Sequence, residues 1–301
     1  MTAQFEAAVK ADVERLLPMV EAALLAPLSG DEASTIRESM RYSLEAGGKR
    51  VRPVLCLLAA ESFGANAKSA LPCAVALEYI HTYSLIHDDL PAMDNDYLRR
   101  GKPTNHKVFG EGQAILAGDG LLTEAFDMLA RDGSLSPQQR VEAIGTLAEA
   151  AGWRGMVGGQ SLDLEGEGLV RSGKPYGQEH LQLIHRLKTG ALLRASLELG
   201  GIAAGADNAG RKILGEAGDA LGLAFQIMDD ILDATSTADA MGKNVGKDDK
   251  NDKITYPKLL GLDGAKKALL DATERAICKL QQTPNPQSLI VWARYLSARA
   301  N

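Results

Sequence analysis

The stretch Phe225-Gln226-Ile227-Met228-Asp229-Asp230-Ile231-Leu232-Asp233 decides how this chain is read. Asp229 and Asp233 are four residues apart and fall on one face of a helix, and Gln226 extends that face. Ile227, Met228, Ile231 and Leu232 fill the intervening positions, which leaves little of the segment for water. Two like charges at this spacing weaken an isolated helix. A bound cation compensates for that; a solvated acidic face is the alternative, and the interleaved apolar residues speak against it.

Helical periodicity extends outward from this segment over most of the chain. The spacing predicts a helix over 208–233 and an N-terminal one over 2–26, with Phe5, Val9, Val13, Leu16, Leu17, Val20 and Leu24 along one stripe. Ile36, Met40 and Leu44 mark a second helix over 35–47, and apolar runs predict buried helices over 51–63 and 68–90. The pattern continues over 113–131, 137–151, 179–204, 264–281 and 286–300. No period-two run of strand length and no fixed-spacing repeat stands out. The breaks at 27–31, 64–66, 133–137, 166–177 and 283–286 are too short or too apolar for interdomain linkers. The expectation is one all-α domain over 1–301.

Composition supports this. Aromatic residues make up only 5% of the 301 residues, and Ala, Leu and Gly dominate, a bias that leans helical. A net charge of −6 argues against nucleic acid as a partner, so any anion site must be built from local cations. Cys56, Cys73 and Cys278 are too few and too scattered for a zinc site or disulfide framework and read as small buried thiols in a reducing compartment. The N-terminus mixes Glu6, Lys10, Asp12, Glu14 and Arg15 into its apolar residues, unlike a signal peptide. No stretch approaches the roughly 18 consecutive apolar residues of a membrane span. A soluble, cytoplasmic protein is expected.

A second acidic cluster, Asp88-Asp89-Leu90-Pro91-Ala92-Met93-Asp94, lies in another apolar segment. Carboxylates there are costly to desolvate unless something cationic holds them. Asp88 and Asp94 are six apart and would not align on an ideal helix. Pro91 kinks or ends the helix and can bring Asp94 back beside Asp88; Asn95 and Asp96 read as loop residues. Basic residues follow each cluster: Arg99, Arg100 and Lys102 after the first, Lys243, Lys247, Lys250 and Lys253 after the second. Oxygen ligands of this kind suit Mg²⁺ bound through a few carboxylates and substrate phosphates. The arrangement describes a pocket for a Mg²⁺-clamped diphosphate.

Gly47-Gly48-Lys49-Arg50-Val51-Arg52-Pro53 is a basic turn that invites an anion but lacks the pattern of a Walker A loop. Lys188-Thr189-Gly190 sits inside an apolar helix, where a solvent-facing lysine and a ligand lysine read alike. No strand precedes Gly155-Met156-Val157-Gly158-Gly159-Gln160, which reads as close helix packing and not a nucleotide loop.

In order along about 40–260, GGKRVRP (47–53), HTYSLIHDDLPAMDNDYLRRGKPTNH (81–106), KTG (188–190), FQIMDDILD (225–233) and GKNVGKDDKNDKITYP (242–257) resemble the trans-isoprenyl diphosphate synthases of the short-chain, bacterial farnesyl type. The resemblance implies the isoprenoid synthase fold, an antiparallel helical bundle around a deep apolar cavity with both aspartate motifs at its mouth. It implies three Mg²⁺ ions per site, with Asp88, Asp94 and Asp229 as principal ligands and Asp89, Asp230 and Asp233 nearby. Arg99, Lys188, Thr189, Gln226, Lys243 and Lys253 would hold the allylic diphosphate. Lys49, Arg52, His81 and Arg100 would hold isopentenyl diphosphate, with a buried helix histidine as the alternative for His81. Tyr83, with Ser84 as the next candidate, would close the cavity floor and stop growth near fifteen carbons. A homodimer is implied as well.

The implied reaction is ionisation of the allylic C–O bond, condensation and proton loss, with no side-chain nucleophile. Dimethylallyl and then geranyl diphosphate would be the allylic substrates and farnesyl diphosphate the product. The 95–111 stretch also resembles geranylgeranyl synthases, and a geranyl product is a further alternative. Terpene cyclases usually mix Asn, Ser or Thr with Glu in the second motif, and non-catalytic partner subunits typically lose a motif; both motifs are complete here.

Overall fold

The computed structural model describes residues 2–30, 34–174, 177–235 and 254–298. Helices α1 (Thr2–Leu25), α2 (Thr35–Leu44), α3 (Val51–Ser62) and α4 (Leu71–Asp88) come first. A short α5 (Asn105–Phe109) leads through Gly110 into α6 (Glu111–Arg131), then α7 (Pro137–Ala151) and α8 (Met156–Arg171). Helix α9 (Gln178–His185) continues through a π-helical turn, Arg186–Gly190, into α10 (Ala191–Ala203). Then come α11 (Asn208–Thr235), α12 (Tyr256–Leu280) and α13 (Gln287–Ser297). The all-α expectation holds.

Local chemistry explains several boundaries. Ser136 and Gln139 form a reciprocal capping box at the start of α7, with Pro137 in the first turn. Ser34 caps α2 by accepting from the Arg37 amide at 3.3 Å. Helix α4 begins at Leu71, three residues after the expected start, because Ala67–Ala70 forms a 3₁₀ turn and Pro72 suits a first helical turn.

Helices α3 and α10 form the centre. Nearly every residue of α3 is buried, and α10 packs against α3, α4, α7 and α11. Apolar side chains all round a helix call for such a position. A second, smaller apolar cluster joins Leu181 of α9, Ala224, Ile227, Met228 and Ile231 of α11, and Tyr256, Ala265, Leu269 and Ala272 of α12. Helix α11 therefore carries the second acidic cluster between two packed layers.

Four expectations are corrected. The break expected at 166–177 begins too early, since α8 runs unbroken to Arg171. Helix α12 starts at Tyr256, well before 264, and Gly261 kinks it with φ 70°. Between α4 and α5 lies a two-stranded antiparallel hairpin pairing Leu98 with Pro103 and Arg99 with Lys102. Its turn residues Arg100 and Gly101 have φ 53° and 76°, the left-handed geometry that matches strand twist in tight hairpins. Cys56 and Cys73 are buried as expected, but Cys278 is exposed on α12.

Candidate active site

Helix α4 stops at Asp88, and the chain folds back over its end. The Asp94 amide donates to the Asp88 carbonyl at 2.8 Å, and the Met93 and Asn95 amides donate to the Leu90 carbonyl at 2.9 and 3.0 Å. The turn around Pro91 thus returns Asp94 to Asp88, as the proline predicts. Asp89 points the other way. Its buried carboxylate accepts from Arg99 Nε at 3.0 Å and from Arg99 Nη2. Arg99 also lies 3.5 Å from Asp96, and Thr104 Oγ1 donates to the Asp96 carbonyl at 2.7 Å. The hairpin is thereby tied to the first aspartate cluster.

Asp88 faces α8, where Gln160 Nε2 donates to its Oδ1 at 3.0 Å. Burial pushes the Asp88 carboxyl up to about 6; Lys188 and Arg99 oppose the rise, and the charges of Asp94 and Asp89 add to it. One turn along α8, Asp163 accepts from Lys188 Nζ at 2.6 Å. A Cβ on Gly159 would come within 2.1 Å of the Lys188 amide nitrogen, so α8 lies against the π turn at van der Waals limit. The close-packing reading of the 155–160 stretch is correct. It overlooked Gln160 and Asp163, whose spacing of three residues was the available signal.

The π turn carries Lys188 and Thr189, and π turns inside α-helices often mark functional sites. Thr189 Oγ1 donates to Gln226 Oε1 at 2.5 Å, joining this turn to α11. Asp229 and Asp233 are partly exposed on α11, whereas Asp230 is buried. Asp230 Oδ2 accepts from the Tyr256 amide at 2.9 Å, and its Oδ1 lies 3.8 Å from His185 Nε2. The His185 ring stacks on Tyr256 with centroids 5.7 Å apart, and burial lowers its pKa to about 4, leaving it neutral.

The basic wall comes from the start of α3 and the middle of α4. Arg50, in left-handed geometry with φ 45°, is fully committed: Nε donates to Glu21 at 2.8 Å, Nη1 to Glu78 at 2.7 Å and Nη2 to the Leu44 carbonyl at 2.6 Å. Arg52, two residues on, keeps a buried Nε without a partner. Burial lowers its pKa, and its guanidinium feels the carboxylates of Glu78 and of Asp229 across the site, and the charge of Arg100. His81 is held well below its ordinary value by burial, then by Arg52 and Arg100, so its imidazole is neutral. Both side chains lie deep yet keep some accessible surface. Arg100 donates to the Gly47 carbonyl, and Lys49 is exposed nearby.

Tyr83 is buried on α4, with its phenol pushed up to about 12 by burial. Ser84 Oγ donates to the His81 carbonyl at 2.9 Å, which commits that hydroxyl to its own helix. Lys243, Lys247, Lys250 and Lys253 lie outside the described residues.

Residues 33–287 match the family described as Polyprenyl synthetase. The chain belongs to that family. It is 53% identical over 243 residues to the farnesyl diphosphate synthase of Geobacillus stearothermophilus, covering 80% of each chain. It is 48% identical over 275 residues to the large subunit 1 of the heterodimeric geranylgeranyl pyrophosphate synthase of Arabidopsis thaliana, covering 90% of this chain and 74% of that one. A crystal structure of an FPP/GFPP synthase from Zymomonas mobilis superposes with a TM-score of 0.86 at 37% identity, over 96% of this chain and 98% of that chain.

As a polyprenyl synthetase, the chain offers its candidate metal ligands in two places. Among the described residues no three His, Cys, Asp or Glu side chains converge on one point. Oxygen-only donors supplied one or two at a time suit Mg²⁺, which completes its shell with water and substrate phosphate. The raised pKa of Asp88, due first to burial and then to the charges of Asp94 and Asp89, is the observation that fits a cation, because a positive ion there would favour the ionised carboxylate. A separate cleft of about 470 Å³ opens between α9, α11 and α12, lined by Leu183, Arg186, Leu223 and Arg275 among others, and no candidate residue borders it.

Proposed function

We propose that this polyprenyl synthetase condenses isopentenyl diphosphate with dimethylallyl diphosphate and then geranyl diphosphate to give farnesyl diphosphate. The observation that carries the reading is a chain of polar contacts between elements: Asp88 at the end of α4 bonds Gln160 of α8, Asp163 of α8 pairs with Lys188 of the π turn, and the buried Arg52 Nε on α3 is without a partner. An allylic diphosphate would lie between the aspartate clusters, held by Lys188, Thr189, Gln226 and Arg99, with Lys243 and Lys253 completing that set. Isopentenyl diphosphate would lie against Lys49, Arg52, His81 and Arg100. Neutral His81 would offer a hydrogen bond there, and the arginines supply charge.

Mg²⁺ held by Asp88, Asp94 and Asp229, three ions in the full complement, would neutralise the departing diphosphate. Lys188 and the arginines add preorganised positive charge where negative charge develops as the C–O bond breaks. The isopentenyl double bond then attacks the allylic cation, forming the new C–C bond. Loss of a proton to the released diphosphate restores a double bond. Apolar walls around Tyr83 keep water from the cation.

Product length is the finer question. Tyr83 places a buried aromatic ring on α4 behind Asp88, and the similarity to a bacterial farnesyl diphosphate synthase supports fifteen carbons. The similarity to a geranylgeranyl synthase subunit favours twenty as the second reading. The test is to incubate purified protein with labelled isopentenyl diphosphate and dimethylallyl diphosphate, with and without Mg²⁺, and chromatograph the products. A fifteen-carbon product that needs Mg²⁺ is expected. A twenty-carbon end product selects the second reading, and no prenyl product at all sinks both.

We further propose a cytoplasmic homodimer of single-domain chains. No described helix is long and apolar enough to cross a membrane. Exposed Ile115 and Leu116, adjacent on α6, support a self-association face.

A further inference from the structure

His87 is the one ionisable side chain in the last turn of α4 that the proposed chemistry does not use. Its ring is seated on α6. A Cβ built on Gly118 would fall 2.1 Å from His87 Nε2, 2.5 Å from Cδ2 and 2.8 Å from Cε1, so the ring occupies the space that any side chain at 118 would need. His87 Nε2 lies 3.0 Å from the Ile115 carbonyl oxygen and donates to it in the Nε2–H tautomer. On its other side the ring meets Tyr83 edge to face, with centroids 5.7 Å apart and planes at 80°. This is a favoured aromatic geometry.

Gly118 is buried in the middle of α6, in ordinary helical conformation. Glycine weakens a helix interior, so its presence there calls for a packing reason. The His87 ring is that reason. Helices α4 and α6 pack along one another, and Gly118 and the Ile115 carbonyl hold the ring against α6. Tyr83 is left with one wall it cannot push back.

We infer that His87, seated on Gly118 and the Ile115 carbonyl, is a positioning residue that holds Tyr83 in place and so sets where chain growth stops. The inference rests on the reading of Tyr83 as the floor of the elongation cavity. It assigns no role to His87 in ionising the substrate.

The test compares kcat/KM for geranyl diphosphate with that for dimethylallyl diphosphate, alongside product length, in the full-length protein. Gly118→Ala displaces the ring that packs against Tyr83. The geranyl-to-dimethylallyl ratio should fall by about tenfold or more, the scale expected when one methyl overpacks a tight contact. His87→Ala removes the packing against Tyr83 and should add twenty-carbon product, and Tyr83→Ala should do the same. In the His87→Ala background, Gly118→Ala should have no further effect on the ratio, because the ring it displaces is gone. His87→Gln, which keeps a donor for the Ile115 carbonyl, should fall between His87→Ala and the unaltered protein.

His87→Ala carries the test by itself if Gly118→Ala does not fold. An unchanged ratio and product length in His87→Ala overturns the inference. So does an equal fall in both rates with no change in length, which would tie His87 to Asp88 and not to Tyr83. Failure of the proposed function is separate: it would appear in the unaltered protein as absence of any prenyl product.

Discussion

Asp88-Asp89 ends a helix, whereas Asp229-Asp230 lies inside one, yet both pairs divide labour in the same way. The first carboxylate of each is the one the proposed function assigns to the metal, and the second is consumed by the scaffold. Asp89 takes the Arg99 guanidinium and so anchors the hairpin that follows the first cluster. Asp230 takes the Tyr256 amide and anchors the start of α12. The difference lies in the kind of anchor. The first cluster is held by a part-buried ion pair at a helix end, the second by a bond to a backbone amide on a continuous helix. A doubled aspartate therefore need not mean doubled metal ligation: one member can bind while its neighbour fixes the next segment of chain.

The largest expected effect tests the site-facing members. Asp88→Ala or Asp229→Ala should lower kcat by about a thousandfold, the scale for removing one preorganised electrostatic partner of a developing charge. Helical circular dichroism should be retained. Near-normal turnover at saturating Mg²⁺ would break the proposed division of roles.

The scaffold-facing member of the first pair comes next. Asp89→Ala leaves the partly buried Arg99 charge with only its longer Asp96 contact and should cost about 2–3 kcal/mol in urea unfolding. A loss below about 1 kcal/mol would show that the Arg99 pair behaves as a solvated surface contact.

A third test separates the clusters by pH. The free folded protein holds the Asp88 proton more tightly than the unfolded chain does, with a pKa of about 6 against 3.8. The penalty for the ionised carboxylate is therefore present above pH 6 and fades as pH falls toward 4. In Mg²⁺-free buffer, Asp88→Asn should stabilise the protein by about 1–2 kcal/mol at pH 8, after allowance for solvent screening. The gain should shrink toward zero near pH 4, and an equal gain at both values would show that burial does not raise this carboxyl.

The smallest effect is expected at Asp230. Asp230→Ala loses one hydrogen bond to the Tyr256 amide and should cost about 1 kcal/mol, well below Asp89→Ala. Equal costs at the two positions would erase the contrast between an ionic and a backbone anchor.

Much of this was legible in the sequence because large apolar residues recur at helical spacing. The return of Asp94 to Asp88 followed from Pro91, which ends a helix by removing a donor. Helix α8 escaped for a physical reason: its buried face is Met156, Gly159, Asp163 and Gly166, with no bulky apolar stripe for periodicity to find. Gln160 and Asp163 were lost with it. Nor does periodicity register the extra residue in the π turn that aims Lys188 and Thr189, since that register shift is set by packing against α8 and α11. The earlier start of α12 is likewise tertiary, fixed by the Asp230 carboxylate at its first turn.

At one point the π turn and α11 touch main chain to main chain: a Cβ on Gly222 would come within 2.6 Å of the Gly190 Cα. No side chain or water can enter there to act as a bearing. The segment carrying Lys188 and Thr189 and the segment carrying Gln226 and Asp229 are thus welded into one plate, and their amides should exchange with solvent as a single cooperative unit. The clamp has a fixed jaw. Any opening that admits substrate or frees a long product falls to the other jaw, formed by the end of α4 and its hairpin.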